Sequence, residues 1–177
     1  MSKGNESFEG LRDALIIRKK ITNVLKTLAL QSQKRLETLE KTLTNAETQQ
    51  NQQRDEARED ISNKLREERF NFWLIKEECK IVAANSAALS GNLRTANTIW
   101  PTYMAEFTQR RVYMDRAMGA CNVLQDELQY IAGAVYADKN KFTALTLEIQ
   151  ALFNKIKSVR QADNRFLKQI KDVNQKV

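Results

Sequence analysis

Two stretches decide the fold of this chain: Tyr103–Val135, YMAEFTQRRVYMDRAMGACNVLQDELQYIAGAV, and Phe142–Val173, FTALTLEIQALFNKIKSVRQADNRFLKQIKDV. In both, a mostly apolar set recurs at alternating steps of four and three. The first set is Tyr103, Phe107, Arg110, Met114, Ala117, Cys121, Leu124, Leu128, Ile131 and Val135; the second is Phe142, Leu145, Ile149, Leu152, Ile156, Val159, Asp163, Phe166, Ile170 and Val173. Residues three and four apart lie on one face of an α-helix. The spacing predicts helices over 102–136 and 140–175, with Asp138 as the N-cap of the second.

The first half of the chain carries the same pattern. One set predicts a helix over 8–47 and a second predicts a helix over 57–92; the members are Leu11, Ala14, Ile17, Ile21, Val24, Leu25, Leu28, Leu36, Leu39, Leu43 and Ala46, then Ile61, Leu65, Glu68, Phe72, Ile75, Cys79, Val82, Ser86, Leu89 and Leu93. Between them, residues 47–56 hold no large apolar side chain and no helix breaker. Propensity therefore leaves open whether the chain turns there or continues as one helix.

Two local features refine the second of these helices. Residues 70–75, FNFWLI, are apolar nearly all round, which is typical of a segment enclosed by other helices, so Trp73 is predicted to lie in the core. Gly91 and Pro101 are the strongest helix punctuation in the chain, and proline is favoured in the first turn of a helix. We expect the second helix to fray past Gly91 and the next to begin after Pro101.

The architecture follows from these four segments. With only five glycines and one proline, the chain is predicted to be all-α, as an up-down-up-down four-helix bundle over 8–177 preceded by a polar tail, 1–7. A single hairpin bent only at 91–101 is disfavoured, because it would set apolar residues 142–149 against polar residues 51–58. A bundle formed by helix exchange between two chains in an oligomer is compatible with the sequence as well.

Several kinds of chemistry are missing from the sequence. It has no histidine, no glycine-rich phosphate loop and no CxxC pair, so we expect no enzyme activity, no metal, no cofactor and no small-molecule substrate. Cys79 and Cys121 are the only cysteines, and both fall on apolar stripes, as expected of reduced core thiols. No segment approaches the ~20 apolar residues of a membrane span or has the form of a signal peptide. The expected location is the cytoplasm.

Arg110 and Asp163 are charged residues at core steps of the last two helices. If these helices turn at about 138–140, Asp163 comes within one turn of Arg110, with Arg18 and Ser86 at a similar level. An isolated charge on a bundle axis is costly, whereas a paired one can fix helix register. We therefore predict a buried Arg110–Asp163 ion pair. A polar cavity open to a ligand is the alternative interpretation.

Net charge is +7 and is concentrated at the two ends of the chain. Residues 11–26 contain five cations against one acid, and residues 155–177 contain seven cations against two acids. An up-down-up-down bundle brings these stretches to the same end, which we call the basic pole. It is a candidate contact surface for an acidic partner. Its candidate residues are Lys19, Lys20, Lys157, Arg160, Lys168 and Lys171.

The sequence favours a non-catalytic scaffold or adaptor that works by protein–protein assembly, with another protein or with itself in a homo-oligomer. One alternative is nucleic-acid binding through the basic pole, although few aromatic residues are interleaved with its cations. Another is association with an anionic membrane, because residues 14–30, ALIIRKKITNVLKTLAL, read as a cationic amphipathic helix.

Overall fold

The computed structural model describes residues 6–47, 53–99, 103–134 and 137–174. These residues form four α-helices and no strand: α1, Glu6–Glu47; α2, Gln53–Thr98; α3, Met104–Ala134; and α4, Lys139–Asn174. The all-α class predicted from the spacing of apolar residues is therefore confirmed.

The helices pack as an up-down-up-down bundle. Each contacts the next along the chain, and α1 also contacts α4. Two side-chain contacts for each of three helix pairs show the antiparallel order, because residue numbers rise along one helix as they fall along the other. The contacts are Arg18–Ser90 and Glu40–Arg69 for α1 and α2, Gln125–Gln150 and Asp115–Arg160 for α3 and α4, and Asp13–Lys155 and Lys20–Glu148 for α1 and α4. One chain supplies all four helices. The single long hairpin is thus excluded, because α1 folds back along α2 instead of continuing it.

The core lies where the four predicted stripes meet. Leu124, Leu128, Ile131, Ile149 and Leu152 are among its fully buried side chains, and they come from the two stretches with the clearest spacing. Burying a leucine or isoleucine contributes about 1.5–3 kcal/mol, so these stripes dominate the stability of the fold. Ser86 and Ser90 are buried as well, and the Ser90 hydroxyl both accepts from Arg18 at 3.3 Å and donates to the backbone of its own helix.

Helix boundaries differ from the prediction mainly in α2, which begins at Gln53 and ends at Thr98 instead of spanning 57–92. Gly91 does not fray the helix. Its neighbours Leu89 and Leu93 are buried, and their packing outweighs the cost of about 1 kcal/mol for a glycine in a helix interior. At the start of α4, Asp138 Oδ1 accepts from the Lys141 amide at 3.3 Å, as expected of an N-cap. Pro101 lies outside the described residues.

The hairpin of α1 and α2 reaches beyond the other two helices. α1 and α2 contain 42 and 46 residues, whereas α3 and α4 contain 31 and 36. Glu78 of α2 lies against Glu127 of α3, and α3 ends about two turns later, at Ala134. Among the described residues, α1 and α2 contact only each other beyond that level, where Leu65 is buried and the Glu40–Arg69 ion pair joins the helices at 3.1 Å.

The described residues lack two kinds of feature. No helix among them combines the length and the apolar content that a membrane crossing requires. Likewise, no group of three or more cysteine, aspartate or glutamate side chains in this part of the chain is placed to hold a metal ion.

Candidate functional site

The structure brings together the two residues of the predicted buried pair. Arg110 Nε lies 3.5 Å from Asp163 Oδ2, and the side chains are 13% and 15% exposed. Neither of these two atoms forms a hydrogen bond, so the two side chains make an ion pair without the geometry of a bidentate arginine–carboxylate salt bridge. Burial raises the pKa of Asp163, and the Arg110 guanidinium opposes this only in part. Desolvation therefore outweighs attraction at this site.

The surroundings of the pair leave little room for a ligand. A cavity of about 30 Å³, lined by Leu93, Met114 and Val159 among others, lies about one turn away along α3 and α4. That volume is comparable to one water molecule. On the other side, the rings of Phe107 and Phe166 pack with centroids 5.7 Å apart. The predicted neighbour Arg18 bonds Ser90 instead.

The basic pole is assembled, but its cations are partly neutralised. The start of α1 and the end of α4 come to the same end of the bundle, where Lys155 Nζ contacts Asp13 Oδ2 at 2.6 Å. Lys20 pairs with Glu148 at 2.6 Å, and Arg160 Nη2 donates to Asp115 Oδ2 at 3.2 Å.

The remaining candidates at the pole are divided between α1 and α4. Lys19, Lys157 and Lys168 are exposed, and the side chain of Lys171 lies outside the described residues. Lys19 precedes Lys20 by one residue, a rotation of about 100°, so it points away from the α4 side that Lys20 contacts. Lys157 and Lys168 are eleven residues apart, a rotation of about 20°, so they share one face of α4. Of the predicted residues whose side chains are described, Lys20 and Arg160 are thus paired with acids, and the exposed Lys19, Lys157 and Lys168 are divided between two helices.

An exposed aromatic pair on α2 is a surface that the sequence reasoning missed. Phe70 and Trp73 are 59% and 54% exposed, and their ring centroids are 5.8 Å apart. The prediction that Trp73 lies in the core is wrong. The spacing carried the signal, because Trp73 is two residues from buried Ile75, a rotation of about 200° that turns it away from the core.

This aromatic pair lies among charged side chains on the outward side of α2. Arg66 and Lys76 are exposed one to two turns from it, and Lys80 pairs with Glu77 at 2.7 Å on the same side. Tryptophan and arginine are enriched among residues that dominate protein–protein binding. The pair is therefore chemically suited to a protein contact with an apolar centre and a polar rim.

A groove of about 430 Å³ separates α1 from α4 near the α3–α4 connection. Buried Leu28, Phe142 and Leu145 line its floor. The Lys20–Glu148 pair borders the groove, as does the Asp138–Lys141 pair, with 3.4 Å between charged atoms. The floor of the groove is therefore apolar. Because each cation at the rim is paired with an acid, the groove carries no net charge that would select a charged ligand.

The two cysteines are free thiols. Cys121 is fully buried, and burial raises its pKa to about 12. Cys79 is partly buried, and burial together with the Glu78 carboxylate raises its pKa as well. Since the thiolate is the reactive form, both are poor nucleophiles at neutral pH.

Comparison with protein-family models, curated proteins and solved structures gives no match for this chain.

Proposed function

We propose that this chain is a non-catalytic helical module that acts by assembling with other proteins, as a scaffold or adaptor. The observation that carries the proposal is the exposed Phe70–Trp73 pair on α2. Full burial of a large apolar side chain contributes roughly 1.5–3 kcal/mol, and two aromatic side chains that are more than half exposed each forgo about half of that. A protein partner that covers them would recover this energy, and the surrounding charges would form the rim of the contact.

The alternatives have weaker support. The stretch 14–30 motivated membrane association, but its core-facing side chains Ala14, Ile17, Ile21, Leu25 and Leu28 are buried in the bundle. Leu15, Ile16 and Leu30 are exposed, a smaller apolar surface than the face that is buried. A membrane could use that face only if the bundle opened. Nucleic-acid binding through the basic pole would compete with the acids that already pair with Lys20 and Arg160. Assembly in the cytoplasm agrees with the two free cysteines.

A site-specific photocrosslinker tests the proposal in cells that express the native sequence. Placed at Trp73, the crosslinker should give one discrete adduct with another protein. The same crosslinker at Lys26, an exposed position on α1, is the control and should not give it. Excess wild-type chain should compete the adduct away, whereas Phe70→Ala/Trp73→Ala chain should not. Identical adducts from both positions, or none from Trp73, would refute the proposal.

A further inference from the structure

We propose that the outward face of α2 binds one amphipathic α-helix of a partner protein, and that this helix carries acidic side chains along one edge of its apolar stripe. The inference rests on the proposed function of protein assembly, because it names the kind of partner that covers the Phe70–Trp73 pair. Two observations carry it. The pair is one end of a longer exposed stripe, and cations line one edge of that stripe.

The exposed stripe starts at the aromatic pair and continues along α2 to Gly91. Its members recur at steps of three and four, which is the spacing of a coiled-coil seam. Phe70, Trp73 and Ile81 are 59%, 54% and 41% exposed. The other members are Glu77 and the exposed small residues Ala84, Ala88 and Gly91. A mostly apolar face thus runs over about 31 Å of α2, on the side opposite the stripe that is buried in the core.

The shape of this stripe favours a helix as the occupant. A face about one side chain wide and about six turns long can be followed by another helix, whose apolar residues recur at the same spacing. A strand could not pair with it, because the backbone amides and carbonyls along the middle of α2 are bonded within the helix. Side-chain size also falls along the stripe, from the rings of Phe70 and Trp73 to Ala84 and Ala88. A well-packed partner helix therefore places small residues against the rings and large ones against the alanines.

The cations along one edge favour acidic residues in the partner helix. Lys76, Lys80 and Arg94 each follow a member of the stripe by three positions, a rotation of about 60° to the same side. Lys80 pairs with Glu77 of the stripe at 2.7 Å, so the charge that interrupts the apolar face is already neutralised. Lys76 and Arg94 are exposed on this edge, and no cation lies on the other edge between residues 70 and 92. Acids at the facing positions of a partner helix would complement them, as flanking charges do in coiled coils.

Two designed helical peptides of about 21 residues test the inference with the full chain, by fluorescence anisotropy of the labelled peptide. Both have leucine and alanine at the apolar heptad positions. One has glutamate and the other lysine at the flanking positions, so like charges keep each peptide from pairing with itself. The glutamate peptide should bind with a dissociation constant on the order of 10 μM, as expected of a small interface. The lysine peptide should bind about tenfold more weakly in low salt, and high salt should reduce that difference.

Charge reversal on the chain should exchange the preference between the two peptides. Lys76→Glu/Arg94→Glu should bind the lysine peptide about tenfold more tightly than the glutamate peptide. Lys139→Glu/Lys157→Glu is the matched control, because it changes the net charge equally at exposed positions of α4 and should keep the wild-type preference. All four positions are exposed, so circular dichroism of both variants should match wild type.

Removal of apolar surface far from the aromatic pair tests whether the peptide lies along the stripe. Ile81→Gln/Ala88→Gln should weaken binding of both peptides about tenfold, whereas Leu147→Gln, at an exposed leucine of α4, should leave it unchanged. Glutamine is a good helix former, so α2 should be retained.

Failure of both peptides to bind would overturn the inference, as would binding that is insensitive to peptide charge or to Ile81→Gln/Ala88→Gln. Self-association of the wild-type chain that Ile81→Gln/Ala88→Gln abolishes, measured by sedimentation equilibrium, would also overturn it by assigning the face to a second copy. The Trp73 crosslink in cells requires only that some protein covers Trp73, whether helical or not. A Trp73 adduct together with a failed peptide test would therefore leave the proposed function standing, and absence of the adduct refutes that function separately.

Discussion

Replacing Asp163 by alanine should destabilise the bundle by about 3 kcal/mol, near the lower end of the range for breaking a buried pair. At 3.5 Å and an effective dielectric constant of ~20, the attraction between Arg110 and Asp163 is about 5 kcal/mol. Loss of that attraction leaves the guanidinium desolvated and unpaired. Both side chains keep some exposure, so water can partly solvate Arg110, and the cost stays at the low end.

The double variant Arg110→Met/Asp163→Leu distinguishes the attraction within the ion pair from the cost of burying its two charges. The raised pKa of Asp163 shows that desolvation exceeds attraction, so two apolar residues of similar volume should restore stability to within about 1 kcal/mol of wild type. The coupling energy of the cycle should therefore be about 2 kcal/mol or more. Urea unfolding, followed by circular dichroism, gives the free energy of unfolding of wild type, the two single variants and the double variant. Unchanged m-values would show that the substitutions alter stability without altering the surface exposed on unfolding.

The pH dependence gives an independent check. A raised pKa means that the folded state binds the Asp163 proton more tightly than the unfolded state does. Wild-type stability relative to the double variant should therefore fall as pH rises through the window above the ordinary value of 3.8. Asp126→Ala, at an exposed carboxylate of α3, is the control and should stay within about 0.5 kcal/mol of wild type. Equal costs for Asp163→Ala and Asp126→Ala, or a relative gain on raising the pH, would refute the reasoning.

Three further predictions concern single sites. Gly119→Ala should stabilise the protein by about 1 kcal/mol in thermal or urea unfolding, because Gly119 is inside α3 and a Cβ there meets no atom within 4 Å. In native protein Cys79 should react slowly with a thiol reagent and Cys121 more slowly still, whereas both should react at the ordinary rate in denaturant. Burial and Glu127 raise the pKa of Glu78, so wild-type stability should fall as pH rises above 4.5, whereas Glu78→Gln should lack this fall in a pH series of unfolding measurements.

The sequence was sufficient to predict the four helices, because an apolar stripe several turns long at helical spacing must pack against other helices to leave water. It was misleading where a local feature competed with that stripe. Gly91 suggested a helix end, yet Leu89 and Leu93 on either side are held in the core. Trp73 suggested burial because its neighbours in sequence are apolar, although its phase on the helix placed it outside. Helix phase was the better guide than local composition in both cases.

The candidate surfaces were harder to predict from the sequence, because they depend on which neighbouring side chains each residue contacts. A count of cations located the basic pole but could not show that Glu148 and Asp115 already bind Lys20 and Arg160. The extension of α1 and α2 beyond α3 and α4 depends on helix ends that propensity left open, because the sequence alone did not place the end of α1 at Glu47 and the start of α2 at Gln53.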